Sequence, residues 1–287
     1  MIKQLRALAR YLTHWVEQGR PSLLWLCRSS RRMNAAFVLR HKRELADVSR
    51  DDEFQYVTIE GKIFVWPGRS SIEALAEFLS ELLQKQHPHH YDASLTPIEA
   101  TDTVLDVGAC EGAFSAFAAE KGAKVISIEP SRFMSRVIKR LFELRGLPPS
   151  QIVNCLLGES ERELPFKDDH DKPGSSGPVE EASEFSYPVP MLTLDDFVGQ
   201  YLPGGLTYIK CDAEGWDSYI LRSGREAIIR YKPKIAITTY HNSEDYRIIA
   251  GFLSPLGYTC RGKGLLYFPH QGEYRTLMLH ASHRSRI

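Results

Sequence analysis

From Thr103 onward, short apolar runs alternate with amphipathic stretches, a pattern typical of strands and helices that follow one another along the chain. This repeated order predicts a parallel sheet covered by helices. The predicted strands are 104–108, 124–129, 152–157, 207–212 and 234–240, and the first two are followed by helices over 113–121 and 131–145. The segments 257–268 and 276–281 predict two further strands, which we expect to be antiparallel.

The chain before this region has a different pattern. Residues 1–50 repeat apolar side chains near a spacing of 3.6 residues and predict helices. Residues 54–66 alternate between apolar and polar side chains and predict a hairpin, and residues 71–86 predict a further helix. We therefore expect a helical and hairpin extension over 1–95, followed by the main domain over 96–287.

Three closely spaced histidines follow the last helix of the predicted extension. His87, His89 and His90 could indicate a metal site, but Pro88 interrupts them and no acidic residue stands at ligand spacing. We interpret the histidines as part of a solvated loop.

A long polar segment separates the third and fourth predicted strands. Residues 159–188 are rich in proline, glycine, serine and charge, a composition that argues against packed structure. The segment leaves the sheet at the carboxyl end of a strand, where open α/β sheets bind ligands. We expect a flexible loop that is either a substrate lid or a tolerated insertion.

The overall composition is that of a protein with a substantial core. Hydrophobic residues make up 43% of the chain and the formal net charge is zero, so no global field attracts nucleic acid. The five cysteines are widely spaced without a CxxC pair, which argues against a disulfide framework or a zinc site. The apolar run 23–27 is too short for a secretory signal or a membrane span. We therefore expect a soluble, cytoplasmic protein.

The neutral total hides a basic N-terminus, because residues 1–50 contain eleven Lys or Arg but only three Asp or Glu. Leu5, Leu8 and Leu12 lie among these cations, so the segment could associate weakly with a membrane surface. We favour a packing helix or a contact within a homo-oligomer.

The candidate chemistry begins at the turn after the first main-domain strand. Gly108 can adopt a positive φ, and Gly112 allows the next helix to start close to a ligand. Asp106 places a carboxylate where a cationic amine or a sulfonium-bearing amino acid could be held. Seventeen residues after Gly112, Glu129 ends the second strand, where acidic residues accept hydrogen bonds from ribose hydroxyls in nucleotide-binding sheets.

A dinucleotide oxidoreductase is the main rival to this interpretation. Its fingerprint needs glycine two and five positions after the first, but Cys110 and Ala113 stand there. Asp106 and Glu111 would also repel a pyrophosphate, whereas they suit a positive sulfonium. The turn therefore favours a methyl donor.

These segments resemble the FkbM-type methyltransferases over roughly residues 100–280. The first similar block is VLDVGACEGAFS (104–115) with VISIEPS (125–131), and the second is VPMLTLDDF (189–197). The third is YIKCDAEGWDSYILRSG (208–224). The resemblance implies a Rossmann-like class I methyltransferase with a seven-stranded, mostly parallel sheet that uses S-adenosylmethionine. It assigns cofactor binding to Asp106, Gly108, Ala109, Gly112 and Glu129.

Candidate catalytic residues follow the fourth and fifth predicted strands. Lys210, Asp212 and Glu214 come at the end of one strand, and His241 follows the next. Methyl transfer requires alignment of the acceptor and removal of its proton. We predict His241 as the base, because histidine titrates near neutrality, and Asp212 as the residue that orients it or holds the acceptor. A divalent cation between Asp212, Glu214 and His241 is the alternative, but the spacing does not demand it and we predict no metal.

The sequence thus predicts O-methylation of a hydroxyl on a sugar or secondary metabolite, with a small-molecule or glycan acceptor that the resemblance implies. The alternative of a different class is a non-catalytic cofactor-binding module that acts in membrane-surface or protein assembly through the basic N-terminus. Methylation of nucleic acid is disfavoured, since no basic or aromatic platform stands near the predicted site.

Overall fold

Helices and a small antiparallel sheet precede the main domain in the computed structural model, which describes residues 2–13, 15, 29–172 and 175–286. The predicted helices and hairpin of the extension are confirmed, whereas the apolar run 23–27 lies outside the described residues. The elements are α1 (Ile2–Thr13), α2 (Ser30–Arg40), α3 (Lys42–Ala46), β1 (Ser49–Arg50), β2 (Phe54–Ile59), β3 (Lys62–Pro67) and α4 (Ile72–Leu83).

The main domain alternates strands and helices, as the hydrophobic pattern predicts. Its first half contains β4 (Thr103–Val107), α5 (Ala113–Glu120), β5 (Lys124–Ile128), α6 (Arg132–Leu144), β6 (Gln151–Val153), β7 (Leu156–Leu157), β8 (Arg162–Lys167), β9 (Gly177–Pro178) and β10 (Ser186–Leu192). Its second half contains α7 (Leu194–Tyr201), β11 (Tyr208–Cys211), α8 (Asp217–Ser223), α9 (Arg225–Tyr231), β12 (Lys234–Thr238), α10 (Asp245–Leu253), β13 (Tyr258–Phe268) and β14 (Glu273–His283).

Seven strands form the main sheet in the order β13-β14-β12-β11-β4-β5-β6. The pairs from β12 to β6 are parallel, and β14 runs antiparallel to both β12 and β13. The predicted Rossmann-like, mostly parallel sheet with one antiparallel strand is therefore confirmed. The chain runs outward from β4 through β5 to β6 and then returns to β11, so the strand order reverses between β4 and β11. Ligands of open α/β sheets bind in the crevice at such a switch point.

Two layers of helices bury the faces of this sheet, as parallel sheets require. Helices α4, α5 and α6 contribute to one hydrophobic cluster, and α7, α8, α9 and α10 contribute to the other. Helix starts are set locally, because Ser71, Ser131 and Thr193 each accept a hydrogen bond from the backbone N–H three residues further on.

The prediction of an unstructured segment over 159–188 is wrong. Strand β8 pairs antiparallel with β10, and together with β7 and β9 they form a second, four-stranded sheet. The polar composition concealed an alternation: Phe166, Val189 and Met191 are buried on one face, while the residues next to them in the strands are half-buried or exposed. Side chains of period two can bury one face of a sheet even when the segment as a whole is polar. The predicted strand 152–157 is accordingly split between the two sheets.

The prediction that the three histidines lie in a solvated loop is also wrong. His87, His89 and His90 are 0%, 5% and 2% exposed. Their partners come from distant positions, since His87 contacts Asn34 and His89 contacts Glu81. A side chain 8 or 53 residues away cannot be recognised as a partner from spacing alone.

The basic N-terminal helix packs on the main domain. Ala7 and Tyr11 of α1 are buried, and Arg10 donates a hydrogen bond to the carbonyl of Gly272. Its other face leaves Ile2 and Leu5 exposed. Within the part of the chain that the structure describes, no helix is both long and apolar enough to cross a bilayer.

Candidate cofactor and acceptor site

The turn after β4 brings two strand ends together at the switch point. Gly108 adopts φ 71°, and a Cβ atom built on it would lie 2.1 Å from the carbonyl oxygen of Asp212. The N–H groups of Gly108 and Ala109 both donate to the carbonyl of Ile128 at the end of β5. The turn is therefore fixed to both neighbouring strands, and only glycine fits at its first position.

Gly112 has a packing role in this structure. It precedes α5 with φ 77°, and an added Cβ would lie 2.8 Å from Cγ1 of Ile138 in α6. The residue therefore allows α5 and α6 to approach each other behind the turn.

Asp106 lies beneath the turn and is fully buried. Its carboxylate accepts a hydrogen bond from Ser115 at 2.6 Å and pairs with the Lys210 ammonium at 3.0 Å. Lys210 also donates to the carbonyl of Gly108 at 2.6 Å. Burial opposes the charge of Lys210, but Asp106 and Asp212 outweigh it and raise the pKa of the ammonium. Lys210 thus connects the buried carboxylate to the backbone of the turn.

Glu129 is held by the turn that it faces. Its carboxylate accepts hydrogen bonds from the N–H of Cys110 at 2.8 Å and of Ser131 at 2.9 Å. Burial raises its pKa to about 7, although both backbone hydrogen bonds favour the ionised form. The side chain of Asn154 donates to the carbonyl of Glu129 at 2.8 Å, so this residue supports the acidic position from behind.

A cavity of about 440 Å³ opens at the switch point, a volume suited to a small organic ligand. Of the predicted site residues, Gly108, Glu129 and Asp212 line it, while Asp106, Ala109, Gly112 and His241 lie outside the lining. Apolar residues of both sheets and of the loops between them supply much of the cavity wall, and these are Ile128, Pro130, Cys155, Leu157, Phe166 and Pro178.

An ion-paired cluster lies at the rim of this cavity, where β11 and β12 end. It consists of Asp212, Glu214, Asp217 and His241. His241 lies with Nδ1 3.2 Å from Asp217 and Nε2 3.3 Å from Glu214. Burial disfavours the imidazolium, but the hydrogen bonds to Asp217 and Glu214 prevail and raise its pKa to about 10. His241 is therefore a cation at neutral pH, and Asp212 stands 3.9 Å from its Nε2.

Asp212, Asp217 and His241 could together hold a cation, because one ligand atom of each lies within 4.8 Å of the others. Asp217, however, already accepts hydrogen bonds from the backbone of Ala213 and from Thr238, as well as from His241. Hydrogen bonding within the protein accounts for the cluster, and we assign no metal to it.

The extension contributes residues to the site that the sequence did not identify. Tyr91 donates a hydrogen bond to Oδ2 of Asp212 at 2.8 Å, and Nε2 of His89 lies 3.5 Å from the same oxygen. Phe78 of α4 lines the cavity. Phe78, His89 and Tyr91 of the extension therefore form part of the candidate site. The only sequence signal was the cluster of histidines, which we interpreted as solvated.

The fold and the site define the class to which this chain belongs. The chain has a Rossmann-like sheet with one antiparallel strand, a glycine turn after its first parallel strand and a carboxylate after the second. This combination is the fold of a class I methyltransferase. The chain matches the Methyltransferase FkbM domain over residues 106–260, more than half of its length, and it belongs to that family. The predicted family and its cofactor, S-adenosylmethionine, are thus confirmed.

No curated protein matches the chain. Among solved structures it is similar to a methyltransferase FkbM from Methylobacillus flagellatus KT, with 20% identity, a TM-score of 0.47 and coverage of 86% of this chain. The chain spans 60% of the length of that protein. It is also similar to the Pyrococcus abyssi tRNA (uracil-54, C5)-methyltransferase in complex with S-adenosyl-L-homocysteine, with 11% identity and a TM-score of 0.42. This match covers 81% of the present chain and 45% of that protein. These similarities are remote, and the family assignment rests on the domain match.

Proposed function

We propose that the protein transfers the methyl group of S-adenosylmethionine to a hydroxyl group of a small-molecule or glycan acceptor. The observation that carries this proposal is that Glu129 and Asp212, one carboxylate for a ribose and one for an acceptor, line the same cavity. The turn at Gly108 joins these two halves, because it contacts the ends of both β5 and β11.

The cofactor half of the site consists of the turn and Glu129. The Glu129 carboxylate is suited to accept hydrogen bonds from the ribose hydroxyls, and the apolar wall around Phe166 and Leu157 suits the adenine ring. Asp106, Ala109 and Gly112 act through the shape of the turn. Asp106 does so by holding Lys210, which in turn holds the carbonyl of Gly108.

The acceptor half centres on Asp212, with His241 beside it. Since ion pairs keep His241 protonated at neutral pH, we assign proton removal to Asp212 and charge balance to His241. Displacement at the methyl carbon needs the acceptor oxygen in line with the sulfonium, so positioning accounts for much of the expected rate.

The charge of the rim favours an uncharged acceptor over nucleic acid. Asp212 and Glu214 line the cavity and would repel phosphates, while the half-buried Trp216 also lines it and offers an apolar surface. Carboxylates next to an aromatic ring suit a hydroxylated ligand such as a sugar.

Two measurements test the proposal. Calorimetry with S-adenosylhomocysteine measures cofactor binding alone, and incubation with labelled S-adenosylmethionine and a cell extract, followed by mass analysis, identifies what gains a methyl group. The Asp212→Asn variant should bind S-adenosylhomocysteine normally but lose turnover. Asp52→Asn, on the exposed surface, should change neither the binding nor the turnover. Equal labelling by both variants would show that Asp212 does not remove the proton, whereas cofactor binding without any labelling by wild type would favour the non-catalytic module.

A further inference from the structure

Two residues of the extension, His89 and Tyr91, contact the carboxylate of Asp212, to which we assign proton removal. Nδ1 of His89 lies 2.6 Å from Oε2 of Glu81, and its Nε2 lies 3.5 Å from Oδ2 of Asp212. The hydroxyl of Tyr91 donates to the same oxygen at 2.8 Å. One carboxylate oxygen therefore faces two groups that come from outside the main sheet.

The three histidines of this segment are not equivalent. Nε2 of His87 contacts the side-chain oxygen of Asn34, and Nδ1 of His90 contacts the backbone carbonyl of Glu81. Burial lowers the pKa of His87 to about 3 and that of His90 to about 4, so both are neutral. Neither contacts Asp212, and the two serve the packing of the segment.

His89 differs because carboxylates stand on both sides of its ring. Burial opposes its charge, but Glu81 and Asp212 outweigh burial and raise its pKa above the usual value, even though Lys210 acts against them. Nδ1 faces the carboxylate of Glu81, and Nε2 lies 3.3 Å from the hydroxyl of Tyr91 and 3.5 Å from Oδ2 of Asp212. The buried ring has one favoured orientation, because the contacts with both carboxylates form only when Nδ1 faces Glu81 and Nε2 faces Asp212.

We infer that His89, oriented by Glu81, is a positioning residue that fixes the carboxylate of Asp212 for methyl transfer. The inference rests on the proposed function, since it presumes that Asp212 acts on the acceptor. Tyr91 shares this role at Oδ2, while Thr238 approaches Oδ1 at 3.2 Å from β12. Asp212 is thereby held from the extension and from the sheet, which leaves its carboxylate little freedom to rotate.

Two substitutions at His89 separate positioning from packing. In His89→Gln the side-chain nitrogen can occupy the place of Nε2 and keep its contacts with Tyr91 and Asp212. In His89→Asn the side chain is of similar polarity but reaches only the place of Nδ1, so the contact with Asp212 is lost. We expect His89→Asn to lower the maximal rate about 100-fold, the effect of a misplacement of about 1 Å, and His89→Gln to stay within about fivefold of wild type.

The readout is methyl incorporation from labelled S-adenosylmethionine at increasing amounts of cell extract. We expect the half-saturating amount of extract and the affinity for S-adenosylhomocysteine to change less than about twofold in both variants, because only the orientation of Asp212 changes. Tyr91→Phe, which removes the other donor to Oδ2 and keeps the ring, should also lower the maximal rate with unchanged affinity. Thermal melting verifies that each variant is folded.

The outcomes separate the two claims. If wild type neither binds S-adenosylhomocysteine nor labels any acceptor, the proposed function and this inference both fall. If wild type is active and the Asn and Gln variants lose equal activity, or His89→Asn and Tyr91→Phe retain full rate, the inference alone is overturned. If His89→Asn does not fold, His89→Gln and Tyr91→Phe are compared with wild type instead. A near-normal rate for His89→Gln with a lower rate for Tyr91→Phe supports the inference, and any other pair of results overturns it.

Discussion

Gly108 and Asp212 approach each other so closely that a Cβ atom on the glycine would lie 2.1 Å from the carbonyl oxygen of the aspartate. The two residues follow β4 and β11, the strands between which the sheet order reverses. The turn that we propose for the cofactor and the carboxylate that we propose for the acceptor therefore meet through their backbones, and any side chain at 108 must push them apart.

We expect Gly108→Ala to abolish measurable binding of S-adenosylhomocysteine and to lower the free energy of unfolding by more than about 2 kcal/mol. Both the positive φ and the collision with a backbone oxygen contribute. Gly146→Ala is the matched control, because Gly146 also has a positive φ, but an added Cβ there meets nothing within 4 Å. It should cost about 1 kcal/mol, from the backbone conformation alone. Equal losses in calorimetry and urea unfolding would contradict this interpretation of the close approach.

Cofactor affinity should depend on pH through Glu129. Burial raises its pKa to about 7 despite the hydrogen bonds from Ser131 and Cys110. The ionised carboxylate accepts from both ribose hydroxyls, so affinity should increase as pH rises through 7. Calorimetry with S-adenosylhomocysteine should give about tenfold tighter binding at pH 8 than at pH 6, in proportion to the ionised fraction. Glu129→Gln should bind more weakly and show no such slope, and a flat profile for wild type would rule out this role.

Lys210 and Asp106 should prove to be energetically coupled. Lys210→Met leaves the fully buried Asp106 carboxylate without its counter-charge, which costs about 3–5 kcal/mol. Lys210→Met combined with Asp106→Asn removes both charges, so the double variant should be more stable than the sum of the single effects predicts. Urea unfolding of the four proteins measures the coupling, and strictly additive losses would mean that the pair contributes nothing.

His241 should make stability depend on pH on the alkaline side. Its pKa in the folded protein is about 10, above the usual value near 6.5, so its stabilising effect is complete below pH 6.5 and disappears as pH rises through 10. Between pH 7 and pH 9, wild type should lose more than about 1.4 kcal/mol of unfolding free energy relative to His241→Asn. His270→Asn on the exposed surface should follow wild type. Parallel curves for wild type and His241→Asn would show that the ion pairs with Asp217 and Glu214 contribute nothing.

The alternating pattern from residue 103 onward predicted the main sheet, because each strand and helix there buries an apolar face whose period is visible locally. The glycine turn and Glu129 could be located for the same reason, since both belong to one strand–turn–helix unit. In contrast, the second sheet over 156–192 was missed, because the pairing of Phe166 with Tyr187 joins residues of a segment whose composition is polar.

The sequence therefore predicted the main sheet, the family and the glycine turn with Glu129 that we propose for the cofactor. The surroundings of the candidate acidic residues depend on the three-dimensional fold. It pairs Asp106 with Lys210 beneath the turn, makes His241 a cation by surrounding it with Asp217 and Glu214, and brings His89 and Tyr91 to Asp212 across more than 120 residues. Protonation and orientation depend on charges and burial in three dimensions, and neither is encoded in local spacing.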